Sequence, residues 1–127
     1  MSDSFLAAIP MLHVVEVEEA LEFYCGRLGF RELWRYQPHA DSVNPSYVGI
    51  RRGGIILHLS SFSGDGIPGG VAVLFLEDVD GYCAELTEAG IDVGAGPVNQ
   101  TWGNRECYIR DPSGNQLRLT QVLQKNA

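Results

Sequence analysis

Several things are missing from this chain of 127 residues, and each absence speaks against a class of protein. No apolar run approaches the roughly 20 residues that cross a bilayer as a helix. The opening stretch MSDSFLAAIPM has no basic flank and no long apolar core, so a secretory signal is not expected in it. The three cysteines, Cys25, Cys83 and Cys107, are odd in number and form no Cys-x-x-Cys pair. Three reduced, buried thiols in a cytoplasmic protein are expected, with neither a disulfide framework nor a zinc ribbon. There is no Gly-x-Ser-x-Gly elbow, and the glycine-rich FSGDGIPGG lacks the Lys-Ser/Thr that a phosphate-binding loop needs. Positive charge is scarce: nine Lys and Arg against sixteen Asp and Glu leave a net charge of −7. Nucleic acids and anionic membranes are polyanions, so neither is an expected partner. A cationic small molecule suits this balance, and so does simple solubility.

What is present is a chain with 45% hydrophobic and 20% charged residues, the balance of a soluble globular protein long enough for one core. It repeats itself once. EEALEFYCGRLGF (18–30) and DVDGYCAELTEAGI (78–91) each open acidic and run on at helical spacing to a glycine and a large apolar residue. Val17, Leu21, Tyr24 and Leu28 mark one helix face, and Val79, Cys83, Leu86 and Gly90 mark the other. Gly29 and Gly90 stand where a helix closes in a left-handed turn. A strand is predicted before each helix, at 8–15 and 70–76, and three after each, at 31–37, 46–52 and 54–62, then 91–95, 105–111 and 115–123. RRGG and DPSGN supply hairpin chemistry within the last strand pair of each half. The pattern predicts an α+β fold of two tandem βαβββ units, with curved sheets around a cavity. One domain over 1–127 is expected, with halves 1–62 and 70–127 and a flexible glycine-rich link at 63–69.

The segments IPMLHVVEVEEALEFYCGRLGF, GGIILHLS, LEDVDGYCAELTEAGIDV and WGNRECYIRDPSGNQLRL together resemble the glyoxalase / bleomycin resistance / dioxygenase family, the vicinal oxygen chelate superfamily. WGNRE ahead of RDPSGN is most similar to the bleomycin resistance proteins. The resemblance implies two alternatives. Enzymes of the superfamily (lyases, isomerases, dioxygenases) hold a divalent metal with His and Glu at four positions, which fall here on Ile9, His58, Val71 and Arg118. Only His58 has a lone pair to give, since isoleucine and valine have none and Arg118 is a permanent cation. A stable site needs three or more protein ligands, so no metal and no cofactor is expected. A displaced set of His13, His58 and Glu106 stays open as an alternative.

The other implication is a metal-free cup that binds rather than reacts. Bleomycin resistance proteins form dimers and hold the drug in clefts between subunits, where aromatic residues at the positions of Trp34 and Trp102 sandwich its planar tail. The candidate ligand-binding residues are Trp34, Tyr36, His39, Tyr47, His58, Phe62, Trp102, Gly103 and Arg118, with no catalytic and no metal-binding residue. Trp34 and Tyr36 lie two apart and share a strand face; core packing is an equal alternative for both. Trp102, in NQTWGN, is hard to bury as core, and its flat ring suits stacking on a planar ligand. Asp65 and Glu106 are expected at the surface, with Glu106 able to pair with Arg105 or Arg110. The expected function is sequestration of a bleomycin-family glycopeptide antibiotic or similar cationic planar drug by a cytoplasmic homodimer.

Overall fold

The computed structural model describes residues 3–123. The first unit contains β1 (Met11–His13), α1 (Val17–Leu21), β2 (Arg31–Tyr36), β3 (Tyr47–Arg52) and β4 (Ile55–Ser60), with the sheet ordered β1-β4-β3-β2. The second contains β5 (Val71–Phe75), α2 (Val79–Glu88), β6 (Val98–Asn99), β7 (Asn104–Arg110) and β8 (Gln116–Val122), ordered β5-β8-β7-β6. In each sheet the first strand runs parallel to the last, and the other neighbours are antiparallel. This is the α+β architecture of two tandem βαβββ units that the repeat predicts.

The helices begin and end as their sequences dictate. Glu16 caps α1 by accepting from the amides of Glu18 and Glu19, and Asp78 caps α2 by accepting from Gly81, which satisfies orphan donors of the first turn. Gly29 and Gly90 close the two helical segments at φ of 83° and 80°, the left-handed region open to glycine. After α1 the chain widens into a π-helical turn over Glu22–Arg27, with Leu28 N–H reaching back to Phe23 C=O. The wider turn buries the neighbours Phe23 and Tyr24 together, along with the predicted face of Val17, Leu21 and Leu28.

Two predicted boundaries moved. Residues 91–95 do not form a strand. Asp92 accepts from Gly94 N–H, and Gly94 and Gly96 take φ of 59° and 81°, so a local turn replaces extended backbone there; the short strand comes later, at Val98–Asn99. β1 covers three residues, starting after Pro10, which has no N–H for a ladder.

Strand alternation separates a core face from an open face. Leu12, Val48, Ile50, Leu57 and Leu59 from the first sheet join Ala72, Leu74, Cys107, Ile109, Leu117 and Leu119 from the second, with both helices, in one buried cluster. The halves also brace each other. The Tyr24 hydroxyl donates to buried Asp111 in the β7–β8 hairpin at 2.8 Å. In the other direction, the Tyr82 hydroxyl donates to Leu28 C=O at 2.8 Å, and Arg52 of the β3–β4 hairpin pairs with Glu85 while lying over the Tyr82 ring.

The glycine-rich link was expected to be flexible, yet it is tied at both ends. Asn115 Oδ1 accepts from Gly69 and Gly70 amides, and Ser60 Oγ donates to Asp65. All three cysteines are free thiols; Cys83 and Cys107 are buried, whereas Cys25 is only half-buried, because the π-helical turn directs its neighbours Phe23 and Tyr24 inward instead.

Candidate functional site

On the open face of the first sheet the cross-strand register aligns Met11, His58, Gly49 and Trp34 in one row and His13, Ser60, Tyr47 and Tyr36 in the next. A β-bulge at Leu33 sets this phase. It inserts one residue between Glu32, paired with core-facing Ile50, and Trp34, paired with Gly49, so Trp34 and Tyr36 both turn outward. Trp34 is 45% exposed and Tyr36 is exposed too; neither belongs to the core. Their rings form two stacks: Trp34 with Tyr47 at 5.8 Å and 2°, and Tyr36 with Phe62 at 6.0 Å and 10°. His58 meets Trp34 and Tyr47 edge-on at 5.1 and 5.2 Å. The Tyr47 hydroxyl and His58 Nδ1 are hydrogen-bonded at 2.8 Å. Desolvation holds the His58 imidazole below its ordinary value, which keeps the ring neutral at pH 7.

Gly49, absent from the predicted set, is what lets Trp34 lie there. A Cβ on Gly49 would stand 2.6 Å from the indole. The only sequence signal was a glycine inside an otherwise strand-forming run, a mark of close approach.

The open face of the second sheet carries a polar cluster. Trp102 sits in the β6–β7 turn with 61% of its surface exposed. Gly103, at φ of 93°, shapes this turn, donating to Gln100 C=O and accepting from Leu123 N–H. The indole N–H donates to Glu106 at 2.9 Å. Glu106 also accepts from the Tyr108 hydroxyl at 2.6 Å and Asn104 at 3.4 Å. Desolvation raises this carboxyl, but the three hydrogen bonds and nearby Arg118 outweigh it and hold the group below its ordinary value. Glu106 is therefore buried, at 7% exposure, and not the surface carboxylate expected. It does not pair with Arg105, which goes to Asp80, nor with Arg110, which donates to Gly114 C=O. Asp65 likewise is not simply solvated, since it takes the Ser60 hydroxyl. Arg118 is exposed, donates Nε–H to Gln116 at 2.9 Å and places its guanidinium 5.3 Å from the Tyr108 ring centre. Tyr108 was also missed; in RECYIR it alternates with Glu106 and Arg110, and that period of two was its signal.

Of the nine predicted ligand residues, Trp34, Tyr36, Tyr47, His58 and Phe62 are thus gathered at the first face, and Trp102, Gly103 and Arg118 at the second. His39 stands apart in the loop before β3, where its backbone bridges Ser42 and its ring joins neither cluster in a ring contact. A cavity of about 740 Å³ opens beside these faces, with walls from both units that include Pro10, Phe30, Arg52, Ile56, Val73 and Phe75. It contains none of the nine. Of its polar groups, Arg52 is held by Glu85, Tyr82 by Leu28 C=O and Asp78 by the Gly81 amide, which leaves Glu77 alone and no convergent recognition set. The candidate site is accordingly placed on the two open faces.

A family model for the Glyoxalase/Bleomycin resistance protein/Dioxygenase superfamily matches residues 8–119. The chain belongs to this superfamily. Among solved structures it is similar to TnmS3, an antibiotic binding protein from Streptomyces sp. CB03234, at 31% identity over 92% of this chain and 97% of that one, with a TM-score of 0.69. A bleomycin resistance determinant encoded on the transposon Tn5 matches at 22% identity over 94% and 100% of the two chains, TM-score 0.76. A bleomycin-binding protein complexed with bleomycin matches at 23% over 92% and 98%, TM-score 0.74. At those last two identities the likeness speaks for fold alone. No curated protein gave a significant match.

The superfamily's metal does not fit the side chains here. Of Ile9, His58, Val71 and Arg118, three have no lone pair for a cation, and His58 Nδ1 is engaged by Tyr47. The displaced set fares no better: His13 Nδ1 lies 3.2 Å from Asp65 C=O, Glu106 is saturated on the other sheet, and among the described residues no three His, Cys, Asp or Glu are grouped to hold a metal. No helix among the described residues is long and apolar enough to cross a membrane.

Proposed function

We propose that this protein is a metal-free binding protein that sequesters a bleomycin-family glycopeptide antibiotic, or another planar drug, and confers resistance by withholding it from its target. The observation that carries the reading is Trp102: a large flat ring left mostly exposed, yet held in one orientation by its bond to buried Glu106. A pre-oriented aromatic plate loses little entropy when a ligand stacks on it. Similarity to an antibiotic binding protein at 31% identity supports the same reading, and a donor set unsuited to a divalent metal supports binding over catalysis.

The working unit in this proposal is a cytoplasmic homodimer, with the halves 1–62 and 70–127 acting as one domain. Val71, Val73 and Phe75 leave an apolar row exposed along edge strand β5, and Phe5 and Leu6 are exposed ahead of β1.

The test is a fluorescence titration with a bleomycin-type drug, paired with elemental analysis of the same sample. Stacking contributes about 0.5–1.5 kcal/mol beyond area burial, and burial of the ring face adds about 25 cal/mol per Å². Trp102→Ala should therefore weaken binding by about 2–3 kcal/mol, roughly 30- to 150-fold in Kd, with little change in melting temperature. Unchanged affinity in Trp102→Ala, or a stoichiometric, chelator-resistant metal, would overturn the proposal.

A further inference from the structure

The chain has eight arginines, and they divide by face. Arg27, Arg35, Arg52 and Arg105 each pair with a carboxylate: Glu22, Glu18 and Glu32, Glu85 and Asp80 respectively. The other four, Arg31, Arg51, Arg110 and Arg118, form no ion pair among the described residues, and all four belong to the open faces. Arg31 and Arg51 are direct cross-strand partners, in the row next to Trp34, Gly49 and His58. Arg118 lies opposite Tyr108, and Arg110 opposite Gln116. We infer that an open face receives a planar ligand carrying an anionic or strongly hydrogen-bond-accepting oxygen, held by that face's own pair of arginines, Arg31 with Arg51 or Arg110 with Arg118. The inference rests on the binding-protein reading but gives its ligand the opposite charge to the cationic drug that the net charge suggests.

The arrangement is hard to explain by folding. Like charges directly opposite across an antiparallel pair destabilise it, yet Arg31 and Arg51 face each other. Three of the arginines commit one N–H to a neutral oxygen that fixes the side chain: Arg51 to Gly53 C=O at 2.8 Å, Arg110 to Gly114 C=O at 3.1 Å, and Arg118 to Gln116 at 2.9 Å. Their other donors have no partner among the described residues. Arg51 and Arg110 hold equivalent places in the two units, each at the end of a third strand and bonded into the hairpin that follows. The planar guanidinium matches carboxylate geometry and stacks on aromatic rings, as Arg118 already does over Tyr108.

The carboxylates near these faces do not offset this. Among the described residues Glu106 is the only one on the open faces of the strands, and it is covered and accepts three hydrogen bonds. Asp65, at the border of the first sheet, takes the Ser60 hydroxyl. A cationic ligand would meet four arginines and two carboxylates whose lone pairs are largely engaged. An overall charge of −7 thus accompanies a site whose free ionic groups are cations.

The experiment uses three probes with one tricyclic ring: anthracene-9-carboxylate, neutral 9-anthracenemethanol and cationic 9-(aminomethyl)anthracene, each titrated into the purified protein at low and high salt. The carboxylate should bind tightest, by about tenfold over the alcohol, and the gap should narrow as salt screens it. Arg118→Gln should lose about tenfold for the carboxylate and under about twofold for the alcohol; Arg27→Gln, ion-paired on the helix, should match wild type. Far-UV spectra and melts confirm that each variant folds. Equal or tighter binding of the amine, or an Arg118→Gln loss equal for all three probes, overturns the inference. So does binding of none of them. If a bleomycin-type drug still binds in that case, the sequestration reading survives; if Trp102→Ala leaves drug binding intact while the charge order holds, that reading fails and the arginine inference stands.

Discussion

Replacing Gly49 with alanine would test whether the Trp34 plate rests on a cleared strand. The new Cβ would stand 2.6 Å from Cε2, 2.7 Å from Cζ2 and 2.8 Å from Nε1 of the Trp34 indole, where carbon atoms in contact keep about 3.5–4.0 Å. One side must retreat by about 1 Å. Trp34 is 45% exposed and Gly49 lies in the middle of a paired strand, so the ring tips outward and the backbone holds. The ring then loses its parallel contact with Tyr47 and its edge contact with His58, each of about 0.5–1.5 kcal/mol. Removing a glycine restricts the unfolded chain and returns about 0.4–1 kcal/mol. The net expectation is a loss of up to about 2.6 kcal/mol, a fall in Tm of up to about 10 °C. The chain has two tryptophans, so in a Trp102→Phe background all indole emission reports Trp34. That emission should shift to the red in Gly49→Ala. Unaltered emission with an unaltered melt would refute the contact. A loss above about 3 kcal/mol would show that the strand gives way and not the ring.

Three further expectations follow from the same geometry. Asp111 accepts from Tyr24 Oη, Ser113 N–H, Asn115 N–H and Asn115 Nδ2; Asp111→Ala strands the buried Tyr24 and Asn115 donors and should reduce stability by about 3 kcal/mol or more, read from denaturant midpoints. The folded-state value of His58 lies below its ordinary 6.5 because of desolvation. Stability from its neutral ring is therefore complete above about pH 6.5 and is lost as pH falls through the lower folded value; in the Trp102→Phe background, quenching of Trp34 should have its midpoint below 6.5, and a midpoint above it would contradict the burial argument. Burial pushes the Cys83 thiol up to about 12, so a thiol reagent at pH 8 should modify half-buried Cys25 first and reach Cys83 and Cys107 only as the protein unfolds.

The repeat, both helices and seven of the eight strands were legible because apolar spacing and glycine stops are local signals. β6 was displaced because IDVGA looks extended until Asp92 and the left-handed glycines after it are seen to make a turn. The π-helical turn was invisible, since Val17, Leu21, Tyr24 and Leu28 fit an ordinary helix face equally well. At the candidate site, sequence pattern was sufficient for residues whose role is to be exposed and flat, such as Trp102. It was insufficient for those defined by a partner across the sheet. Gly49 matters only because Trp34 lies over it, and Glu106 became a buried acceptor through bonds from Trp102, Asn104 and Tyr108. The segregation of the arginines needed both the strand register and the bulge at Leu33, without which Arg31 and Trp34 would fall on opposite faces.

The two braces between the halves differ in kind, and that difference makes the molecule asymmetric in its response to solvent. Tyr24 and Asp111 meet in a dry setting, out of reach of dissolved ions. Arg52 and Glu85 meet where water and salt reach both partners, and ions screen such a pair within about 10 Å. Ionic strength is thus a one-sided lever. It slackens the end where Arg52 and Tyr82 wall the cavity, where the neutral Tyr82–Leu28 bond remains, while the hairpin at Asp111–Asn115 stays fastened. The fold has a seam and a latch, and salt loosens only the latch.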